Sequence, residues 1–216
     1  DVLIQPISDE EYSSEITKMK HGKAPGPSGA TASMVKAWPA NVHACVLGWL
    51  NDIWSSGCVP SWWHSGHLRP IPKAGEASLE NLRPLGLYEI SRKILTAILT
   101  RRIYDLCEQH QLLNDNQHAF RRRRSTSHAI LRLINTVEDT AERGIPQRIV
   151  QWDLRRAFDS VPYNFTRLAL MRLGVPAFMT EFLVQLTEQN VMTVASPLHM
   201  EHHATSLDGI CRDATF

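Results

Sequence analysis

Asp153 closes an apolar, β-like run, Ile149-Val-Gln-Trp152, and opens the segment Leu154-Arg-Arg-Ala-Phe-Asp-Ser-Val161. A carboxylate at the end of a buried strand is costly unless something pairs with it, and a hard divalent cation such as Mg2+ is a natural partner. A cap or a surface salt bridge is the competing assignment. Upstream, Leu68-Arg-Pro-Ile-Pro-Lys73 and Asn81-Leu-Arg-Pro-Leu-Gly-Leu87 flank the turn-rich Ala74-Gly-Glu-Ala-Ser78, which predicts a hairpin carrying Lys73 and Arg83. Such an arm can hold a triphosphate, lysine acting as a point charge and arginine as a bidentate fork. Phosphoryl transfer asks mainly for positioned cations and metal-holding carboxylates.

The cations are unevenly spread. Lys+Arg number 23 against 22 Asp+Glu, a formal charge of +1, yet Arg121-Arg122-Arg123-Arg124 is flanked by Arg101-Arg102 and Arg155-Arg156. A run of this kind suits a polyanion, because each phosphate contact releases condensed counterions. A solvated charged face fits the composition equally well. The cysteines, Cys45, Cys58, Cys107 and Cys211, lack paired short spacings and read as reduced thiols. The sharpest metal pattern, Cys107-x-x-His110, finds no four-ligand set at zinc spacings. Gly22-Lys-Ala-Pro-Gly-Pro-Ser-Gly29 is not an ATP-binding Walker loop, because no Gly-Lys-Ser/Thr leads from it into a helix.

These groups need a scaffold. The chain has 216 residues, 43% hydrophobic and 21% charged, which allows a packed core and excludes a disordered tail or a collagen-like fibre. No apolar run has the length of a membrane span and the polar N-terminus lacks a signal-peptide pattern, so the chain reads as soluble and intracellular, with no membrane partner. Ser8 and Glu11 form a capping-box pattern, with Ile7 able to pack on Tyr12, and Tyr12, Ile16 and Met19 share a face of the helix that follows. Helical periodicity recurs over about 33–54 with Pro39 as an interruption, 90–109, 127–143, 163–173 and 176–188. In the third of these, Ile130, Leu131, Ile134, Val137 and Ala141 are expected to face inward. Asp159 and Ser160 are expected to cap the fourth, with Pro162 in its first turn. Of the strand candidates, 148–153 is the best, 67–72 can only be an irregular edge because of its prolines, and 191–195 is the third. The expected fold is α+β, helix-rich around a small antiparallel sheet.

Taken in order, Gly22–Gly29, Pro70-Ile-Pro-Lys73, Asn81-Leu-Arg-Pro-Leu85, Gln117-His-Ala-Phe-Arg121 with Arg124-Ser-Thr126, and Asp153–Val161 resemble the successive fingers and palm motifs of reverse transcriptases, closest in flavour to the non-LTR retrotransposon type. The resemblance covers about 20–174. It implies fingers over 1–146 and a partial palm over 147–216. It makes Asp153 a catalytic metal ligand, with the Leu154 carbonyl sharing a second ion, and it sets Lys73 and Arg83 on the phosphates of the incoming nucleotide. Phe158 matches the ring that lies against the sugar and rejects a 2′-OH. Gln117, Phe120 and Arg121 match a segment near the template strand. The implied partners are an RNA template, a DNA primer and deoxynucleoside triphosphates, and the implied cofactor is Mg2+.

Where the family usually has Asp, this chain has Ser28. The family's remaining acids lie in a downstream aromatic-x-Asp-Asp hairpin, and no Asp-Asp pair occurs in these 216 residues. The expectation is therefore a polymerase fragment, inactive as this chain alone. A group II intron maturase-like protein and a non-catalytic RNA-binding remnant are the alternatives.

Overall fold

A computed structural model describes residues 2–72, 82–154, 157, 160–188, 190–194 and 202–204. The capping box forms as the sequence predicts: Glu11 N–H donates to Ser8 Oγ at 3.2 Å, and Ser8 N–H donates to Glu11 Oε2 at 3.0 Å. It starts α1 (Asp9–Lys18), which buries Tyr12 and Ile16. Thr31 caps α2 (Ala32–Lys36), and Pro39, which cannot continue a helix, becomes the N-cap of α3 (Ala40–Ser56). Gly57 ends α3 in the left-handed conformation. Next come β1 (Ser65–Pro72), β2 (Leu82–Leu87), α4 (Ile90–Gln109), α5 (Thr126–Glu142), α6 (Tyr163–Arg172), α7 (Ala177–Thr187), β3 (Val191–Val194) and β4 (His202–Ala204).

The sheet runs β2-β1-β3-β4, and it is mixed where an antiparallel one was expected: β1 pairs antiparallel with β2 but parallel with β3. The segment expected to be an irregular edge belongs instead to a regular strand, paired with β2 over His67–Pro72 and with β3 over Ser65–Leu68, so that His67 and Leu68 have a neighbour on both sides and Arg69–Pro72 on one. Its prolines are tolerated for two reasons. Both lie beyond the residues that β3 pairs, and Pro70 sits directly opposite Pro84. Opposed antiparallel residues exchange either both hydrogen bonds or none, so two facing prolines mark a position where no N–H is required.

Three further expectations fail. The run 148–153 is not a strand; residues 145–154 have no regular structure, and Ile149, Val150 and Trp152 are 61, 68 and 88% exposed. An apolar run makes a strand only where a neighbour completes its ladder, and among the described residues none does. The helix α5 forms, but Ile130, Leu131, Ile134 and Val137 lie on its exposed side and Ala141 is exposed too. Periodicity sets which residues share a face, not whether anything covers it. The N-cap of α6 is Pro162, while Ser160 Oγ donates to Ala157 O at 3.1 Å; Asp159 lies outside the described residues.

The chain divides into two compact units, Asp1–Asp105 with Arg156–Thr215, and Leu106–Arg155 with Phe216. The core of the first holds Tyr12, Leu50, Trp63, Tyr88, Ile94, Leu95, Ile98, Leu99, Met179 and Phe182, each at most 2% exposed. Two buried cations tie its parts together. Arg92 lies 3.7 Å from the Tyr88 ring centroid and donates to Trp63 O (2.6 Å), Leu186 O (2.7 Å) and Asn190 Oδ1 (3.1 Å), linking α4 to the residues before β1 and β3. Arg102 donates through Nε and Nη2 to the two carboxylate oxygens of Glu11, at 2.7 and 2.6 Å, and to the carbonyls of Leu3, Gln5 and Pro6. This pairing holds the Glu11 carboxyl below its ordinary range.

Candidate nucleotide and template site

The hairpin expected between the two basic segments exists as the β1–β2 pair, with Ile71 opposite Arg83 and Pro72 opposite Leu82. Lys73 follows directly and lies outside the described residues. Opposed residues share a face and faces alternate, so Arg69, Ile71, Arg83 and Leu85 point the same way. Arg69 and Arg83 are both exposed, diagonal to each other on this face. Sequence reading passed over Arg69. The pairing register that puts it beside Arg83 is its signal, legible once the hairpin is drawn as pairs rather than as two segments.

The glycine loop before α2 is held by an acid from elsewhere in the chain. Glu89, 5% exposed, accepts from Ser28 N–H (2.7 Å) and Ser28 Oγ (2.5 Å), fixing the loop against the start of α4. A side chain at Gly26 would meet the Tyr88 carbonyl oxygen at 2.3 Å, so only glycine lets the loop come this close.

In the second unit two members of the arginine run meet acids of the same unit. Arg121 donates to Glu108 through Nε and Nη2, both at 2.8 Å, and to Asn114 O at 3.1 Å; its side chain is 9% exposed. Arg124 donates to Asp115 O (3.1 Å) and Asp115 Oδ1 (3.3 Å). These two brace the loop. Arg122 and Arg123 are exposed, beside Phe120, which is 59% exposed. Phe120 and Arg123 both have φ of 60°, the left-handed region that L-residues enter at a cost. Gln117 is exposed and donates to Ala119 O at 3.2 Å. His118, among Arg124, Arg132, His128 and Arg121, is pushed toward its neutral form first by desolvation and then by those cations. The wider cluster expected from the sequence is smaller in fact, because Arg102 is buried on Glu11 and Arg101 contacts Ser14 and Glu15.

Asp153 is exposed within the irregular stretch 145–154, and Leu154 beside it is 76% exposed. Phe158 lies outside the described residues. Among the described residues no three His, Cys, Asp or Glu side chains converge as a metal site. A lone exposed carboxylate does not hold a divalent ion against water, since such ions take six or more oxygens. The described residues therefore do not by themselves fit a magnesium site.

Comparison with known proteins yields a family and several relatives. Residues 71–201, more than half of the chain, match the family "Reverse transcriptase (RNA-dependent DNA polymerase)". The chain is 27% identical over 160 residues to a probable RNA-directed DNA polymerase from transposon BS of Drosophila melanogaster, covering 73% of this chain and 18% of that protein. It is 26% identical over 191 residues to a retrovirus-related Pol polyprotein from the type-1 retrotransposable element R2 of Popillia japonica, covering 88% of this chain and 26% of that protein. Its identity to the corresponding R2 polyprotein of Nasonia vitripennis is 27% over 183 residues, covering 84% and 17%. The chain thus spans between about a sixth and a quarter of the length of these relatives.

Proposed function

The chain belongs to the reverse transcriptase (RNA-dependent DNA polymerase) family, and from that premise we propose that it forms the fingers (1–146) and part of the palm (147–216) of a retrotransposon polymerase that extends a DNA primer on an RNA template. The observation that supports the proposal is the β1–β2 hairpin, whose register pairs Arg83 with Ile71, two positions before Lys73 in the chain. Lys73 and Arg83 hold the triphosphate of the incoming deoxynucleotide, with Arg69 on the face of Arg83 adding charge. Phe158 excludes a 2′-OH. Gln117, Phe120 and the arginine run follow the template backbone, the outward Arg122 and Arg123 carrying the phosphate contacts while Arg121 fixes the loop that presents Phe120.

Reverse transcriptases as a family use divalent metal ions. For this chain the proposed ion is Mg2+, which, once its ligand set is complete, would supply positive charge for the leaving pyrophosphate and for the primer hydroxyl. Asp153 and the Leu154 carbonyl are the ligands the chain offers, and the family's aromatic-x-Asp-Asp hairpin offers the others.

The test is primer extension on RNA with deoxynucleotides and Mg2+. In the polymerase that carries these residues, Asp153→Ala is expected to abolish extension. Retained extension overturns the assignment of Asp153. These 216 residues alone are expected to give no product, and extension by them that Asp153→Ala removes would overturn the expectation that one acid is too few.

A further inference from the structure

Against the glycine loop the first unit has a cavity of about 160 Å3, between the end of α1, the start of α2 and the first turn of α4. Pro25, Tyr88 and Ile90 contribute to an apolar wall, and Lys20, Lys23 and Lys93 contribute the charge; no Asp or Glu lines it. Glu89, the acid next to this wall in the chain, has one carboxylate oxygen on Ser28 N–H and the other on Ser28 Oγ. The wall is fixed from behind, because the Tyr88 ring is held under the Arg92 guanidinium and Gly26 is packed on the Tyr88 and Glu89 backbone. Lys20 and Lys23 are exposed at either end of the turn His21-Gly22.

We infer that this cavity takes one pyrimidine base of a single-stranded nucleic acid, with the phosphates on either side of that base on Lys20 and Lys23. Size favours the smaller base: an apolar cavity of roughly 150 Å3 holds one benzene-sized ring, so a single six-membered ring fills this open-sided pocket, whereas the second ring of a purine would stand outside it. Charge selects the strand, since a lysine-rimmed pocket without acids repels cations and attracts successive phosphates. Neither the glycine loop nor these lysines take part in the nucleotide and template roles proposed above. The inference rests on the lining of the cavity, so it can fail while the polymerase reading stands.

The experiment uses the 216-residue chain, with oligouridine and oligoadenosine RNA ten nucleotides long, their affinities followed by fluorescence anisotropy across a salt series. Oligouridine is expected to bind several-fold more tightly. Lys20→Glu with Lys23→Glu is expected to lower the salt slope for oligouridine by about 1.4, two phosphate contacts at about 0.7 each for a single strand. Ala24→Phe, which fills the cavity from an exposed position, is expected to abolish the preference for uridine and leave the slope unchanged. Arg122→Ala with Arg123→Ala tests the template surface separately and is expected to lower the slope for both RNAs alike. The inference is overturned if the two RNAs bind equally to the parent chain, if the lysine variant leaves the slope unchanged, or if uridine monophosphate competes as well as the oligonucleotide. Photocrosslinking of 4-thiouridine RNA to the unmutated chain gives a second readout that no folding defect can disturb. Adducts on the 19–32 peptides support the site, and adducts confined to 117–126 overturn it.

Discussion

The two units of this chain are built on different principles. The first buries Trp63, Tyr12, Tyr88 and Phe182 almost completely, whereas Cys107 is the one apolar side chain of the second that is buried among the described residues. The second has apolar residues in number, but Ile130, Leu131, Leu133, Ile134, Ile149, Val150, Trp152 and Leu154 are all more than two-fifths exposed. Its order comes from polar contacts instead: the Ser125 cap of α5, Arg121 forked on Glu108 and Arg124 on Asp115. Such contacts fix local geometry but contribute little to global stability, which comes mainly from buried apolar area. The difference teaches where the proposed functions divide. The hairpin proposed to hold the nucleotide stands on a packed body, and the proposed template surface and Asp153 stand on a locally braced one.

Core truncation breaks the comparison most directly. Trp63→Ala should cost about 3–5 kcal/mol and Ile134→Ala no more than about 0.5 kcal/mol in urea unfolding. Equal losses would mean that the α5 face is covered in solution. Next in size are the two arginine clamps. Arg102→Ala is expected to cost about 2–3 kcal/mol, leaving Glu11 and the Leu3, Gln5 and Pro6 carbonyls short of a donor, against about 1 kcal/mol for Arg121→Ala. Acid sharpens this pair. Glu11 is ionised in the fold below its ordinary value of 4.5, so its contribution is full above that value and is lost as pH falls through the lower folded value. An unfolding series should show the Arg102→Ala effect shrinking below pH 4.5.

The smallest effect separates stability from binding within one residue. Arg123 has φ of 60°, so Arg123→Gly should stabilise by up to about 1 kcal/mol while lowering the salt slope for single-stranded RNA by about 0.7. Lower stability, or an unchanged slope, would remove Arg123 from the template surface.

Most elements were legible in the sequence because local rules set them. The Ser8–Glu11 box, the break at Pro39 and the bounds of α4 follow from capping, proline and periodicity. What was not legible depends on partners distant in the chain. The 148–153 run has the composition of a strand, but a ladder needs a second strand, and α5 has an apolar stripe with nothing described against it. The fate of each arginine was equally hidden, since Arg102 meets Glu11 ninety-one residues away and Arg92 meets carbonyls as distant as Leu186. Residue type showed the charge, and only the fold showed which charges are already spent.

Nucleotide binding tests the central claim most directly. With Mg2+ and a primed RNA template, the polymerase that carries these residues is expected to bind deoxynucleoside triphosphate with an affinity that Lys73→Ala together with Arg83→Ala lowers by at least tenfold, each charge-assisted contact being worth about 1.5–3 kcal/mol. Binding equal to that of the parent chain would contradict the account, because the hairpin would then carry its cations for some other purpose.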